Sequence, residues 1–243
     1  MVNLILFEPD EWSFGLPSAD FRALHLIKIL KLVPGDRFAA GELGRRSGTL
    51  RFAGRRADHL IFDEPEWTAD PPLPGRVALL VGTPRPPTAR RLLKDMTTMG
   101  VETLCFSSTA LGDKSYLQST LWKGDFREAL KEGAAQARTT VLPAVVTAPS
   151  LNKALFLAEE NNNVRVCLDG GGAPFDKHPL HQHAASGRRL WIAVGPERGW
   201  SDDERALFER RGWELASVGS RTLRTETACA VAVGTAAMKG WID

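Results

Sequence analysis

Apolar positions along this chain follow two different patterns. From residue 75 onward, short apolar runs alternate with segments whose apolar residues recur every three or four positions. Residues 77–81 read as a buried strand and 88–99 as a helix with Leu92, Leu93, Met96 and Met99 on one face. Next come strand 101–106, helix 122–137, strand 141–146, helix 151–160, and strands 164–168 and 190–194. Helix 202–211, strand 214–218 and a last helix over 225–241 complete the series. Strands alternating with helices imply an α/β fold with a parallel sheet covered on both faces. In such sheets ligands bind beyond the carboxyl ends of the strands.

The first 67 residues read differently. Residues 2–7 form an apolar run of strand length. Residues 20–30 have helical spacing through Phe21, Leu24, Ile27 and Leu30, stopped by the turn signal Pro34-Gly35-Asp36. Strand-like pieces at 37–40, 48–53 and 59–62, punctuated by Gly41, Gly44, Gly48 and Gly54, predict a small β-rich barrel. Between the two patterns lies Thr68-Ala69-Asp70-Pro71-Pro72-Leu73-Pro74-Gly75, too rich in proline for a helix or a central strand. It reads as a linker between a domain over 1–70 and a domain over 75–243.

Composition changes this picture little. A formal net charge of +2 gives no global argument for a polyanionic partner. A local one exists: Arg37, Arg45, Arg46, Arg51, Arg55 and Arg56 crowd one stretch, as a phosphate footprint or as a solvated surface. Cys105, Cys167 and Cys229 are far apart and form no CxxC, which points to reduced thiols and a cytoplasmic protein. No run approaches the roughly 20 apolar residues of a membrane span, and the N-terminus reads as a first strand rather than a signal peptide. His178, His181 and His183 are neighbours in sequence, but no carboxylate or cysteine pattern accompanies them and Pro179 marks a loop, so no metal is expected.

Two strand-to-helix loops carry the candidate chemistry. In the first, Gly195 and Gly199 allow a tight turn and close backbone approach to a ligand. Pro196 stiffens that turn, Glu197 sits at the strand end to bond a ligand or another loop, and Ser201 with Glu204 has capping-box spacing. In the second, Val218-Gly219-Ser220-Arg221-Thr222-Leu223-Arg224-Thr225-Glu226-Thr227-Ala228 leads into a helix rich in small residues, with an Arg224–Glu226 ion pair as the plain structural reading. Asp169-Gly170-Gly171-Gly172 follows a strand and reads as a flexible hairpin or loop more readily than as an anion cradle. Trp200 and Tyr116 suit base stacking or the core equally well.

Taken together, Gly195-Pro196-Glu197-x-Gly199-Trp200-Ser201-x-x-Glu204 followed by Leu223-Arg224-Thr225-Glu226-Thr227-Ala228 resembles the RsmE-type rRNA uridine-N3 methyltransferases of the SPOUT superfamily. His25-Leu26-Ile27-Lys28-Ile29-Leu30-Lys31 before Pro34-Gly35-Asp36, and Ala134-Ala135-Gln136-Ala137-Arg138 before Pro143, are similar to that family's other motifs. The chain departs from the family at Asp95-Met96-Thr97-Thr98-Met99-Gly100, where K-x-x-E-L-G is usual, and at Ser107-Ser108-Thr109-Ala110, near the usual E-R-S.

The resemblance implies a PUA-like RNA-binding β-barrel over 1–70 and a SPOUT domain over 75–243. The C-terminal segment of the SPOUT domain would thread a trefoil knot, an exception to the rule against threaded chains. It further implies a homodimer that binds S-adenosyl-L-methionine (AdoMet) through Gly195, Pro196, Glu197, Gly199, Val218, Gly219, Leu223, Arg224, Thr227 and Ala228, with rRNA or the small ribosomal subunit as partner. Methyl transfer to uracil N3 is an in-line displacement that needs alignment and removal of the N3 proton. Arg224 is the candidate for positioning phosphate or stabilising the deprotonated uracil. Glu226 is the candidate for orienting Arg224 or acting as base, with a structural carboxylate at a helix start as the alternative. Cys229, in an alanine-rich helix, reads as packing. A SPOUT enzyme acting on another RNA site and a non-catalytic RNA-binding ribosome assembly factor remain as rival readings.

Overall fold

The computed structural model describes residues 3–72, 75–159, 163–178, 181–184 and 187–242. The chain divides into two compact units, Met1–Leu73 with Ala134–Leu142, and Pro74–Gly133 with Pro143–Asp243.

The first unit is a curled six-stranded sheet. Its strands are β1 (Ile5–Phe7), β2 (Leu16–Pro17), β3 (Arg37–Glu42), β4 (Ser47–Arg56), β5 (His59–Phe62) and β6 (Glu66–Ala69). The order is β1-β3-β4-β5-β2, with β6 also paired to β4. Strand β4 serves three neighbours: its first half pairs with β3 and β6, and from Phe52 onward, across a register shift between Phe52 and Gly54, it pairs with β5. Such a shift bends a strand and increases its twist, which curls the sheet. Leu50 and Phe52 point inward while Arg51 stays exposed, the period-two pattern of a half-buried strand. Phe7 and Phe38 meet Phe62 edge-on at 5.7 and 5.4 Å in the middle of this core.

The structure corrects two sequence expectations in this unit. The helix expected over 20–30 is one α-turn, α1 (Phe21–Leu24), followed by a π-helical segment, His25–Ile29. The wider π-turn rotates the face, so Ala23 and Leu26 are buried while Phe21, Leu24 and Ile29 are exposed. Lys31, with φ of 56°, ends the segment. The linker expected from Thr68 begins later, because Thr68 and Ala69 belong to β6 and Ala69 pairs with Ser47 of β4; residues 73–74 of that linker lie outside the described residues. Of the arginine-rich stretch, Arg37, Arg45 and Arg51 pair with Glu66, Asp10 and Asp63 at 2.5, 3.2 and 2.6 Å.

The second unit is a fully parallel sheet, as the alternating pattern predicts. Its strands are β7 (Val77–Gly82), β8 (Thr103–Ser107), β9 (Ala144–Ala148), β10 (Val164–Pro174), β11 (Leu190–Val194) and β12 (Glu214–Ser217), in the order β12-β10-β11-β7-β8-β9. Its helices are α2 (Pro86–Thr98), α3 (Asp125–Ala137), α4 (Leu151–Glu159), α5 (His181–Ala184), α6 (Asp202–Arg210) and α7 (Thr225–Met238). The central strands β7 and β11 are buried at every position, as strands covered on both faces must be. Ala78, Leu80, Cys105, Cys167, Trp191 and Ala193 pack on one face against α4 and on Phe208 of α6. On the other face α7 packs on β7 and β11, with α2 beside it.

The Asp169–Gly172 run, expected as a flexible hairpin or loop, lies within β10. Leu168 and Ala173 both pair with Ala216 of β12, so residues 169–172 are an outward bulge between two pairings to one residue. A β-carbon on Gly172 would sit 2.4 Å from the Ala216 backbone nitrogen. The glycine is therefore there for close backbone approach rather than for flexibility.

Candidate functional site

The two loops singled out above come together at the carboxyl ends of β10, β11 and β12. The first opens from the buried strand β11 and the second from the edge strand β12, so sheet register fixes where they start. The first leaves β11 at Val194 and turns tightly: the Gly199 amide donates to the Pro196 carbonyl at 2.8 Å, and Gly199 has φ of 70°, a conformation that favours glycine. Gly82, at the end of β7, is the floor for this turn, since a β-carbon there would meet Pro196 Cδ at 2.4 Å. Helix α6 then starts at a complete capping box: Ser201 Oγ accepts from the Glu204 amide at 3.3 Å and Glu204 Oε2 accepts from the Ser201 amide at 2.9 Å. Glu204 is buried, and its other oxygen accepts from the Ala110 amide at 2.7 Å, tying the β8 exit loop to the same cap.

The second loop leaves β12. Ser217 Oγ donates to the Gly219 carbonyl at 2.9 Å and accepts from the Gly219 amide at 3.3 Å, while Gly219 has φ of 131°. The loop enters α7 at Thr225, which is buried and donates from Oγ1 to the Gly195 carbonyl at 3.0 Å. That bond joins the two loops directly.

Between them lies a cavity of about 230 Å³. Eight of the residues expected to bind the cofactor line it: Gly195, Pro196, Glu197, Gly199, Val218, Gly219, Leu223 and Ala228. Arg224 and Thr227, expected in the same set, are exposed and lie outside the lining. The reason is helical geometry: Arg224 precedes α7, where Thr225 and Ala228 face inward and Thr227 faces out.

Asp169 and Gly170 join the wall from the β10 bulge, a contribution sequence reasoning missed. The signal was an acid and a glycine run directly after a strand. Asp169 Oδ2 accepts from Arg205 Nε of α6 at 2.8 Å and Oδ1 accepts from the Gly171 amide at 3.2 Å, so the carboxylate is held in place and charge-compensated. Glu197 Oε1 accepts from the Arg85 backbone amide at 3.1 Å. A second cavity of about 360 Å³ shares Gly170 and Ser217–Ser220 with the first and extends to Phe175, Val231 and Thr235.

The ion pair expected between Arg224 and Glu226 is replaced by another: Glu226 Oε1 lies 3.9 Å from Arg91 Nη1 of α2. Trp200 is core, not a stacking platform; it is 2% exposed, its indole nitrogen donates to the Leu168 carbonyl at 3.2 Å, and its ring meets Phe208 edge-on at 4.8 Å. All three thiols are fully buried; burial pushes Cys105 up to about 12 and Cys167 and Cys229 well above the ordinary thiol value. None is poised as a nucleophile. Among the described residues no three His, Cys, Asp or Glu side chains cluster as metal ligands, and no helix is long and apolar enough to cross a membrane.

A family model described as an RNA methyltransferase domain matches residues 71–237. Ribosomal RNA small subunit methyltransferase E of Treponema pallidum is 33% identical over 249 residues, spanning 97% of this chain and 92% of the relative. The chain belongs to this RNA methyltransferase family. Another member, ribosomal RNA small subunit methyltransferase E 1 of Borreliella burgdorferi, is 31% identical and covers 93% of this chain and 94% of its own. Two solved structures share the fold over nearly the whole chain at 17% identity. One is the family member from Neisseria gonorrhoeae bound to S-adenosyl methionine, with a TM-score of 0.74 and coverage of 98% of this chain and 97% of that one. The other is a methyltransferase from Legionella pneumophila in complex with the same cofactor, with a TM-score of 0.78 and coverage of 98% of both chains. The loops that carry the family motif are the ones that meet at the cavity.

Proposed function

We propose that this protein transfers a methyl group from AdoMet to N3 of a specific uridine in small-subunit (16S) rRNA. The observation that carries the reading is the cavity itself: the two motif loops of an RNA methyltransferase family, joined by the Thr225–Gly195 bond, wall it at the carboxyl ends of a parallel sheet. Its chemistry fits AdoMet. Gly195, Gly199 and Gly219 offer bare backbone, Val218, Leu223 and Ala228 an apolar wall, and the fixed carboxylates of Asp169 and Glu197 suit a cationic ligand. AdoMet bound there supplies a methyl group activated by its sulfonium.

The remaining work falls to side chains at the rim. Arg224, exposed at the N-terminus of α7, positions the RNA and stabilises the uracil as its N3 proton leaves. Glu226, held toward Arg91 rather than Arg224, is the candidate proton acceptor. With no reactive thiol at hand, the transfer is direct, and alignment supplies much of its rate.

In the same reading residues 1–70 are a PUA-like RNA-binding domain and residues 75–243 a SPOUT domain with a C-terminal trefoil knot. Thr227 and Arg224 then serve the cofactor site only from its edge. The enzyme works as a cytoplasmic homodimer on rRNA or the small ribosomal subunit.

The test is methyl transfer from labelled AdoMet to small ribosomal subunits lacking native modification, followed by nucleoside analysis. N3-methyluridine at one site, reduced about 100-fold or more in Arg224→Ala, is the expected result. AdoMet binding with product at another nucleotide would redirect the reading to a different RNA, and no AdoMet binding would overturn it.

A further inference from the structure

The arginines around the cavity mouth are not paired with the acids nearest to them in sequence. Glu197 accepts from the Arg85 amide, with Arg85 Nε 3.8 Å away, although Arg198 is its neighbour. Glu226 faces Arg91, although Arg224 lies two residues away. Asp202 and Asp169 are both taken by Arg205. Among the described residues this leaves Arg198, Arg221 and Arg224 exposed and without an ion-pair partner.

Their placement is specific. Arg221 lines the cavity, Arg198 sits between the lining residues Glu197 and Gly199, and Arg224 sits between Leu223 and Thr225. Arg198 also occupies the turn closed by the Gly199-to-Pro196 hydrogen bond, so its backbone is fixed while its side chain reaches solvent. The chain as a whole carries only +2, so three uncompensated guanidinium groups on two adjoining loops are a local feature.

We propose that Arg198 and Arg221 form a phosphate clamp at the mouth of the site. They grip the RNA backbone on the two sides of the target nucleotide, with Arg224 between them and the reacting base. Guanidinium groups recognise phosphate through paired N–H donors, and each phosphate neutralised releases counterions. Leaving these arginines unpaired keeps them available, with no internal salt bridge to break first. The inference rests on the RNA methyltransferase reading of the cavity and adds the residues that hold its substrate.

The experiment measures, on the full chain, binding of a small-subunit rRNA fragment as a function of salt, AdoMet binding by calorimetry, and methyl-transfer kinetics. Arg198→Ala and Arg221→Ala each weaken RNA binding about three- to tenfold and lower the salt slope by about 0.7 per arginine. Both raise KM for RNA more than they lower kcat. Arg198→Lys, which keeps the charge, restores the slope. RNA affinity and slope equal to wild type in both alanine variants overturn the clamp, as does an Arg198→Ala loss confined to AdoMet binding. A wild-type protein that binds RNA but neither binds AdoMet nor transfers methyl sinks the enzymatic reading, while the RNA slopes still decide the clamp.

Discussion

Single residues set the shape of this site through what they lack. Gly172 lies against the Ala216 backbone, with a β-carbon placed 2.4 to 2.6 Å from three main-chain atoms. No flexible side chain is present there to move aside. Gly172→Ala is therefore expected to destabilise the second unit by about 1–3 kcal/mol, the usual range for overpacking. Gly170, in the same bulge, has open space around its would-be β-carbon and no left-handed φ. Gly170→Ala should fall within about 0.5 kcal/mol of wild type. Urea midpoints of the two variants check this, and equal midpoints would remove the close-approach account of the bulge. Sequence alone could not tell these glycines apart. A run of three reads as looseness, whereas the requirement of one of them comes from a neighbouring strand more than 40 positions away in number.

Elements were legible where one local signal decides them and opaque where tertiary partners do. The Ser201–Glu204 spacing predicts the α6 cap, and both of its bonds are present; the third bond of Glu204, to the Ala110 amide, had no local signal. Strands β7 and β11 were read to within one residue, because burial on both faces leaves continuous apolar runs, whereas β10 continues six residues past its expected end.

Helix α1 departs from the expectation, and its Arg22 ties that single turn to residues outside it. Arg22 bonds Asp20 and Glu11 at 2.6 to 3.0 Å and the Leu6 carbonyl at 2.8 Å. Burial pushes the Glu11 and Asp20 carboxyls up, but hydrogen bonds and charge from Arg22 outweigh it and hold both below their ordinary values of 4.5 and 3.8. Groups depressed on folding stabilise the fold above their unfolded values, and that stability is lost as pH falls through the folded ones. The first unit should therefore weaken as pH drops below 4.5. In Arg22→Met the two half-buried carboxyls lose their cation, so acid relieves rather than breaks the site. Hydrogen exchange of β3 and β5 peptides across that range checks the sign. Parallel acid loss in wild type and variant would contradict it.

At the scale of the molecule, α7 bears on the proposed homodimer. Its residues are small and apolar almost throughout, and a helix apolar on all sides belongs in an interior. The inward face, with Cys229, Ala232, Val233 and Ala236 buried on the sheet, meets that expectation. The outward face does not: Val231 is 41% and Met238 89% exposed. Val231 and Thr235 line the second cavity, which shares the 217–220 wall with the candidate cofactor site. A second copy of the chain seated on this face would cover the exposed apolar groups and complete a cavity now open beside the site. Small residues at Gly234 and Ala237 would let two such helices approach closely. If so, Val231→Arg, placing an unpaired charge on that face, converts a dimer to monomer in sedimentation velocity and removes methyl transfer together with it. The folded monomer keeps its circular dichroism, because Val231 makes no part of the buried core. A monomeric wild type with full activity would show instead that one chain completes the site alone, and the apolar face of α7 would then need another partner.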